Sequence, residues 1–320
     1  TLQAYFEGRK ELFEGLKIMD LETEWTKHPV IRLDMSRAGS SAHELNAYLN
    51  QAFKEYEQKF SIEASPANIL SNRFDTIIQS ANQQTGQQVV VLVEGYDSPL
   101  LNSWNTPHHE ECVSIYLNVF TILKADDEYE EFVLITGTTK FTKLSLFSGL
   151  NNLSNISFEP EYAAICGITK EELQNDFKPE IEKLADYENW TFDEAVAQLQ
   201  AYYDGYHFSR KNMVDVFNPF SLINALSDSD LKNYWSSSGA TPLLPPLEIS
   251  LENRLEDLGN CALMNTIIET ADVSEGGAEL FLYQSGYLTI KGYYERVYLL
   301  GFPNHEVRQA LYEMVLPVHT

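Results

Sequence analysis

One short stretch, Val89 to Leu100, most constrains the fold that this chain can adopt. It begins with five consecutive apolar residues, Val89 to Val93, and carboxylates follow at Glu94 and Asp97. Five apolar residues are too few for a helix but are typical of a strand that is buried on both faces. In open α/β sheets the chemistry usually lies at the carboxyl ends of such strands. The stretch therefore predicts either a catalytic strand end or a core strand followed by an acidic turn.

The segments around this strand alternate between strand and helix patterns. Pro29 to Met35 and Phe132 to Thr136 are predicted strands, and Ala42 to Phe60 and Ala67 to Gln84 are predicted amphipathic helices. Such alternation predicts an α/β fold with a mostly parallel sheet and flanking helices. The carboxyl ends of the predicted strands would then meet at one edge of the sheet.

Other elements are predicted from periodicity, from turns and from the helix-capping residues Thr169, Thr191 and Asn218. They are a helical segment over Thr1–Leu16, helices over Cys112–Leu123, Lys170–Ala185, Thr191–Tyr203, Asn218–Leu226 and Asn304–Leu316, a short strand over Ser154–Phe158, a Pro-rich connector over Ala240–Pro246, and a hairpin of Tyr287–Ile290 with Val297–Gly301. A helix followed by a two-stranded ribbon resembles a winged-helix element, so we expect one near the end of the chain.

Composition excludes several classes of protein. No apolar run approaches the roughly 20 residues that cross a bilayer, so we expect no membrane association. The cysteines, Cys112, Cys166 and Cys261, form no CxxC pair, which argues against a structural zinc or disulfide framework and favours a reducing compartment such as the cytoplasm. A net charge of −25 without a basic patch disfavours direct binding of nucleic acid.

The acidic excess is largest between Ile156 and Gln200, where eleven Asp and Glu residues face three Lys. Solvated helix faces explain such an excess, and an acidic docking surface is the alternative reading. The run His108 to Cys112 (HHEEC) is expected in a polar loop over Asn102–Glu111. Adjacent residues of an extended loop point in opposite directions, so we expect no metal site there.

Phosphate-binding motifs are missing from the printed chain. It contains no GxxxxGK[ST] motif and no Gly-Lys pair, although such a loop is what cradles phosphates in P-loop proteins. Glu94 is placed to serve a Mg²⁺ ion, but Gly95 follows it and has no side chain to polarise water. Asp97 is interpreted as a residue that holds the turn. Further along, the run Tyr203 to Tyr206 (YDGY) predicts a site or a helix end packed by two aromatic rings.

Several segments together resemble the bacterial AAA-ATPase-like family, in which a P-loop domain is followed by a PD-(D/E)XK nuclease domain. The resemblance extends over nearly the whole chain. Its matching segments are Ala4–Leu16, His28–Ser36, Val91–Leu101, Phe132–Leu153, Glu161–Gly167, Tyr203–Phe208, Asn218–Leu222 and Gly286–Val307.

The resemblance implies an additional-strand P-loop fold that uses ATP and Mg²⁺. It implies an α/β core over residues 1–158, a helical lid over 159–245 and a winged-helix-like segment over 246–320. Glu94 and Asp97 would be the Walker B-like residues that bind nucleotide and Mg²⁺. The lid motif would consist of Tyr203, Asp204, Gly205 and Tyr206, and the sensor-1 region would contain Thr136, Thr138, Thr139 and Lys140.

The chain departs from the family pattern at three places. Members carry their P-loop just before the helix with which this chain begins, and their nuclease residues lie beyond its end, so we expect a chain truncated at both ends. Members usually read Asp-Glu-Tyr-Asp where this chain reads Glu94-Gly95-Tyr96-Asp97. No residue is therefore assigned as catalytic, and whether the chain is an enzyme stays open.

Three functions follow as hypotheses. The first is an ATPase-like region with weak or lost nucleotide binding and slow hydrolysis. The second is a non-catalytic interaction or switch module that contacts a protein partner or a second copy of itself. The third is DNA binding through the winged-helix-like end, which the net charge argues against; the family implies contact with nucleic acid only through its nuclease domain.

Overall fold

A computed structural model describes residues 1–63, 69–139, 151–237, 257–270 and 277–315. Lys140 of the expected sensor-1 region and the Pro-rich connector 240–246 lie outside these residues. The chain divides into two compact units, unit 1 over Thr1–Ser154 and unit 2 over Asn155–Thr320. The finer division of the second half into a lid and a winged helix stays a prediction.

Unit 1 is built on a parallel sheet in the order β1-β2-β3, as the alternating pattern predicted. The strands are β1 (Val30–Asp34), β2 (Val89–Glu94) and β3 (Glu130–Ile135). Strand β2 lies between the other two, and its five apolar residues are buried, because a central parallel strand is covered on both faces. Asp34 and Glu94 are register partners at the carboxyl ends of β1 and β2.

Two long helices pack on this sheet and were correctly predicted. Helix α3 begins after Ser41, whose side chain forms a capping box with Glu44. Helix α4 ends at Gly86 in the left-handed conformation that glycine adopts freely. The helices of unit 1 are α1 (Leu2–Phe6), α2 (Ile18–Leu21), α3 (Ala42–Lys59), α4 (Leu70–Thr85), α5 (Ser98–Asn102), α6 (His109–Phe120) and α7 (Ile122–Ala125).

A buried ion pair joins α3 to α4. Arg73 donates to both carboxylate oxygens of Glu57 at 2.6 and 2.9 Å, and both side chains are about 93% buried. Arg73 also donates to the side chain and carbonyl of Asn50. Since a buried charge is tolerated only when it is paired and hydrogen-bonded, this cluster specifies how the two helices meet.

Two predictions about unit 1 are corrected. The segment Thr1–Leu16 is helical only over α1 and a 3₁₀ turn at Lys10–Phe13, because Gly8 between them adopts a φ of +68° that ends the first helix. The run His108 to Cys112 is not a loop: His109 begins α6, and Cys112 is buried in it. Acidic residues suit a first helical turn, where free N–H groups point outward.

Unit 2 contains the remaining helices and an antiparallel sheet. Its helices are α8 (Lys170–Asp176), α9 (Lys178–Glu188), α10 (Phe192–Tyr203), α11 (Pro219–Asp228), α12 (Asn265–Thr270), α13 (Gly277–Gln284) and α14 (His305–Val315). Its strands are β4 (Cys261–Met264), β5 (Thr289–Tyr294) and β6 (Val297–Gly301), in the order β4-β6-β5.

The predicted caps of unit 2 are confirmed. Thr169 and Thr191 each form a capping box with the glutamate three residues later. Asn218 accepts hydrogen bonds from the N–H groups of Phe220 and Ser221 at the start of α11. These bonds satisfy donors that the first helical turn leaves without an internal partner. The capping residues in the sequence therefore predict where these helices begin.

Two other predictions for unit 2 are corrected. Lys170–Ala185 is two helices rather than one, because Pro179 lacks an N–H and sits in the first turn of α9. Ser154–Phe158 forms no strand, since it holds too few apolar residues to bury a face. The hairpin of β5 and β6 is confirmed, but β4 pairs with β6 as a third strand, and the winged-helix assignment stays a prediction.

Among the helices that the structure describes, none is long and apolar enough to cross a membrane.

Candidate functional site

The turn after β2 places four residues in different environments. Glu94 ends the strand and is half exposed. Gly95 adopts a left-handed φ of +57°, which lets the chain turn into α5. Tyr96 and Asp97 are buried, with exposed fractions of 6% and 1%. The turn therefore exposes one carboxylate at the edge of the sheet and buries the other.

Asp97 holds the loop that follows β3. It accepts hydrogen bonds from the backbone N–H groups of Thr138 and Thr139 at 3.0 and 2.6 Å, and from the Thr139 hydroxyl at 2.8 Å. Tyr96 donates its hydroxyl proton to the Thr139 carbonyl at 2.8 Å. All three bonds end on the same carboxylate oxygen, Oδ2, so Asp97 positions this loop; its Walker B-like role in binding nucleotide and Mg²⁺ stays a prediction.

Gly137 is required where the loop crosses this turn. A Cβ atom on Gly137 would lie 2.4 Å from a carboxylate oxygen of Asp97 and 2.6 Å from the ring of Tyr96. Only a residue without a side chain allows the two backbones to approach so closely. Neither Gly137 nor Tyr96 was predicted as a site residue. The available signal was a glycine directly after the predicted strand Phe132–Thr136.

Glu94 forms an ion pair across the strands. Arg32 of β1 donates through Nη2 to Oε2 of Glu94 at 2.5 Å, and the two side chains are 45% and 48% exposed. This hydrogen bond, helped by the charges of Glu94 and Asp34, raises the pKa of Arg32. Arg32 was not predicted as a site residue, because an arginine within a strand has no distinguishing pattern in the sequence.

A cavity of about 380 Å³ opens beside this ion pair. Its volume falls near the lower end of the roughly 300–1,000 Å³ typical of small-molecule sites. Residues 1–4 of the chain line one side. The other lining residues are Arg9, Arg32, Leu92, Val93, Glu94, Leu134 and Thr136. The cavity thus combines an apolar floor from β2 and β3 with two guanidinium groups and one carboxylate.

Among Thr136, Thr138 and Thr139, the residues of the expected sensor-1 region that the structure describes, only Thr136 lines this cavity. Its N–H group donates to the Val93 carbonyl at 2.8 Å, so it continues the ladder between β2 and β3. Thr138 and Thr139 instead turn toward Asp97. The structure therefore brings Thr136 and Glu94 together at the cavity and assigns Asp97 to the support of the neighbouring loop.

The described residues do not fit a Mg²⁺ site of the kind that the family implies. Glu94 is paired with Arg32, and Asp97 is buried with three donors. Asp34, the register partner of Glu94, accepts a hydrogen bond from the Ser36 hydroxyl at 2.6 Å. No group of three acidic, histidine or cysteine residues that would hold a metal exists among the residues described. The Arg32 guanidinium therefore lies against the carboxylate to which the family pattern assigns Mg²⁺.

The motif Tyr203 to Tyr206 joins several elements within unit 2. The Tyr203 hydroxyl donates to the Lys232 carbonyl, and the Tyr206 hydroxyl donates to the Gly286 carbonyl. Burial is the largest cause that raises the pKa of both phenols. Each hydroxyl has a partner within the unit, which supports the structural reading that the sequence analysis left open.

The middle of this motif lies against the residues before α14. Asp204 is 5% exposed, its carbonyl accepts from Asn304, and burial raises the pKa of its carboxyl. Gly205 has a φ of +92°, and a Cβ there would lie 2.3 Å from the Pro303 carbonyl oxygen. Lys291 donates to the carbonyls of Gly205 and Pro303, and burial lowers the pKa of its ammonium group. These contacts have the density of a packed core.

Comparison with known proteins adds two findings. A curated relative from Azotobacter chroococcum mcd 1, described as an uncharacterized protein in the vnfD 5′ region, is 30% identical over 324 residues. The match covers 99% of this chain, which spans about 60% of the length of that relative. The model of the AAA-ATPase-like family, described as predicted AAA-ATPase, matches residues 1–147. The part of the chain that carries the parallel sheet and the cavity is therefore similar to this predicted AAA-ATPase family.

Proposed function

We propose that unit 1 is an AAA-ATPase-like region that binds ATP weakly in the cavity beside Glu94 and hydrolyses it slowly or not at all. The family match over residues 1–147 supports the use of a nucleotide. The observation that supports slow hydrolysis is the identity of residue 95 in the turn after β2. Gly95 stands where members of the family place a carboxylate that activates water, and it cannot supply one.

Charge at the cavity supports weak binding. Arg9 and Arg32 line it together with Glu94, but Arg9 pairs with Glu7 at 3.1 Å and Arg32 pairs with Glu94. Because each guanidinium already has a carboxylate beside it, the net positive charge that a phosphate group meets is small. The printed chain also has no GxxxxGK[ST] loop to surround the phosphates. We therefore expect a dissociation constant for ATP in the range of about 0.1–1 mM.

Calorimetric titration of the chain with ATP, together with a phosphate-release assay, tests this function. We expect binding in the stated range and phosphate release at the background rate. Sub-micromolar affinity, turnover above roughly 1 s⁻¹, the lower end of ordinary enzymes, or no binding at any concentration would contradict the proposal.

Substitution at Gly95 tests whether the missing carboxylate limits hydrolysis. Gly95→Glu supplies a carboxylate at the proposed position, and Gly95→Gln is the matched control of equal length without the charge. A general base contributes about 10²-fold or more to such reactions, so we expect phosphate release to rise above background in Gly95→Glu and not in Gly95→Gln. Equal rates in the two variants would show that Gly95 does not limit hydrolysis.

A non-catalytic interaction module is the second candidate, and the surface of unit 2 favours it. The acidic segment 156–200 exposes Tyr187 and Ile165 to 71% and 67%. Exposed apolar side chains within a charged surface are typical of protein contacts. Neutralising the carboxylates between Glu171 and Glu194 should release a co-purifying partner; a strict monomer that captures no partner would argue against this function.

DNA binding through α13 and the following hairpin is the third candidate. Its only support is the order of a helix followed by a two-stranded ribbon, and the net charge of −25 opposes it. A flat DNA titration at low salt would exclude it.

A further inference from the structure

We propose that the cavity of unit 1 binds the phosphates of its ligand without a divalent cation, and that Arg32 takes the place that Mg²⁺ holds in related sites. This inference rests on the proposed function, since it concerns the same cavity. Arg32 is the group that recognises the phosphates, and Glu94 competes with them for its guanidinium.

The first support is the ion pair that Glu94 already forms with Arg32. A carboxylate at this strand end is expected to serve a metal, yet its Oε2 atom lies 2.5 Å from a nitrogen of Arg32. A divalent cation at this carboxylate would lie beside the positive charge of Arg32, which repels it. Of the nearby carboxylates, Asp97 accepts three hydrogen bonds from the loop after β3, and Asp34 accepts one from the Ser36 hydroxyl.

The second support is the chemistry of the guanidinium. Arginine binds phosphate oxygens through several N–H groups at once and stays protonated at any pH of interest. The pairing with Glu94 raises the pKa of Arg32 further. Both partners are nearly half exposed, and exposed ion pairs contribute little free energy. Arg32 is thus charged, faces the cavity, and can exchange one carboxylate for a phosphate at small cost.

Glu94 consequently acts against the ligand rather than for it. In a metal-dependent site, loss of this carboxylate would weaken binding, because the cation would lose a ligand. In the arrangement seen here, loss of the carboxylate frees Arg32 and removes a negative charge that repels phosphate. The two mechanisms predict changes of opposite sign for the same substitution.

The experiment measures ATP affinity by calorimetry in the presence of EDTA and, separately, of Mg²⁺. It compares the wild-type chain with Glu94→Gln, Arg32→Ala and Arg32→Lys. Arg37→Ala is the matched control, since Arg37 is an exposed arginine of the same unit that does not line the cavity. Inorganic tripolyphosphate replaces ATP in a parallel series, so that recognition of phosphate is separated from recognition of the nucleoside.

We expect wild-type affinity in EDTA to equal or exceed that in Mg²⁺, because Mg²⁺ neutralises the phosphates that Arg32 contacts. Glu94→Gln should bind about threefold to tenfold more tightly, and Arg32→Ala should bind at least about tenfold more weakly, as for loss of a charged hydrogen bond. Arg32→Lys should lie between Arg32→Ala and the wild type, and Arg37→Ala should match the wild type. Tripolyphosphate should follow the same order.

Binding that requires Mg²⁺ and weakens in Glu94→Gln would overturn this inference and leave the proposed function intact. Equal affinity of the wild type and Arg32→Ala would overturn it as well. ATP hydrolysis at ordinary rates would contradict the proposed function without deciding the role of Arg32. Absence of binding under all conditions would overturn both. Circular dichroism of each variant confirms that a loss of binding does not reflect unfolding.

Discussion

Two short turns of similar composition, Glu94 to Asp97 in unit 1 and Tyr203 to Tyr206 in unit 2, have different roles. Each contains a glycine with positive φ, a buried aspartate and a tyrosine whose hydroxyl donates to a backbone carbonyl. Only the first turn also carries a half-exposed carboxylate beside a cavity. In both turns the Tyr, Asp and Gly residues therefore accompany a closely packed backbone. What distinguishes the proposed binding turn is the charged group that it leaves exposed.

The difference arises from the surroundings of each turn. Glu94 ends a parallel strand, and the carboxyl ends of parallel strands form an open edge between loops. The second turn comes after α10 and lies against Gly286, Pro303 and Asn304 of the same unit. Every polar group named in the second turn has a partner, as buried groups require. The comparison predicts that the second turn affects stability alone, whereas the first affects both stability and binding.

The largest expected effect tests the packing of the second turn. Gly205→Ala places a Cβ 2.3 Å from the Pro303 carbonyl oxygen at a φ of +92°. We expect the free energy of unfolding of unit 2 to fall by roughly 3 kcal/mol, since both the clash and the left-handed backbone are unfavourable. Urea unfolding, together with hydrogen exchange of peptides from unit 2, measures this loss in the free energy of unfolding.

Gly286→Ala is the matched control for that substitution. Gly286 also has a positive φ, +83°, but a Cβ there would meet its nearest atoms only at 3.9 Å. The free energy of unfolding of unit 2 should therefore fall only by the cost of a non-glycine residue in the left-handed conformation, about 1 kcal/mol. Equal losses in the two variants would show that backbone conformation, and not contact with Pro303, explains the glycine at 205.

A smaller effect is expected from the aspartate of the first turn. Asp97→Ala removes the acceptor of three hydrogen bonds from Thr138 and Thr139. We expect a loss of about 2 kcal/mol in the stability of unit 1, because the N–H groups lose their partner. Hydrogen exchange of residues 136–139 should accelerate, and ATP affinity should fall with the displaced loop.

Asp20→Ala provides the control, since Asp20 is an exposed aspartate in α2 of the same unit. It should leave both stability and exchange close to those of the wild type. If Asp97→Ala behaved like this control, the carboxylate would not hold the loop, and a metal-binding role for Asp97 would regain support.

The smallest effect concerns the protonation of the second turn. Burial raises the pKa of Asp204 above its ordinary value of 3.8, so the folded state favours the protonated carboxyl more than the unfolded state does. Its contribution to stability is complete below pH 3.8 and is lost as the pH rises through the raised pKa. The stability of the wild type should therefore decline relative to that of Asp204→Asn as the pH rises above 3.8 and through the raised pKa.

Asp193→Asn serves as the reference for this pH series, because Asp193 is an exposed residue in the first turn of α10. The comparison needs urea unfolding at several pH values for each variant. A difference between wild type and Asp204→Asn that stays constant with pH would contradict the assigned direction of the pKa shift.

Much of the fold was predictable because local patterns decide it. The apolar run Val89 to Val93 predicted the central strand, and the threonine caps at Thr169 and Thr191 predicted helix starts. Errors arose where one residue outweighed a periodic pattern, as Pro179 did within Lys170–Ala185. Strand β4 was missed because its four residues are too short to alternate visibly, and it forms by pairing with β6.

The sequence alone determined the parallel sheet, its central strand and the absence of a side chain at Gly95, since these depend on the order and chemistry of neighbouring residues. Only the tertiary structure decided which charged groups meet. Arg32 and Glu94 are separated by 62 residues yet form one ion pair, because β1 and β2 lie side by side. The same holds for Asp97 and Thr138 of the loop after β3, which are 41 residues apart. Such contacts depend on which distant segments of the chain become neighbouring strands, and no short stretch of sequence shows that pairing.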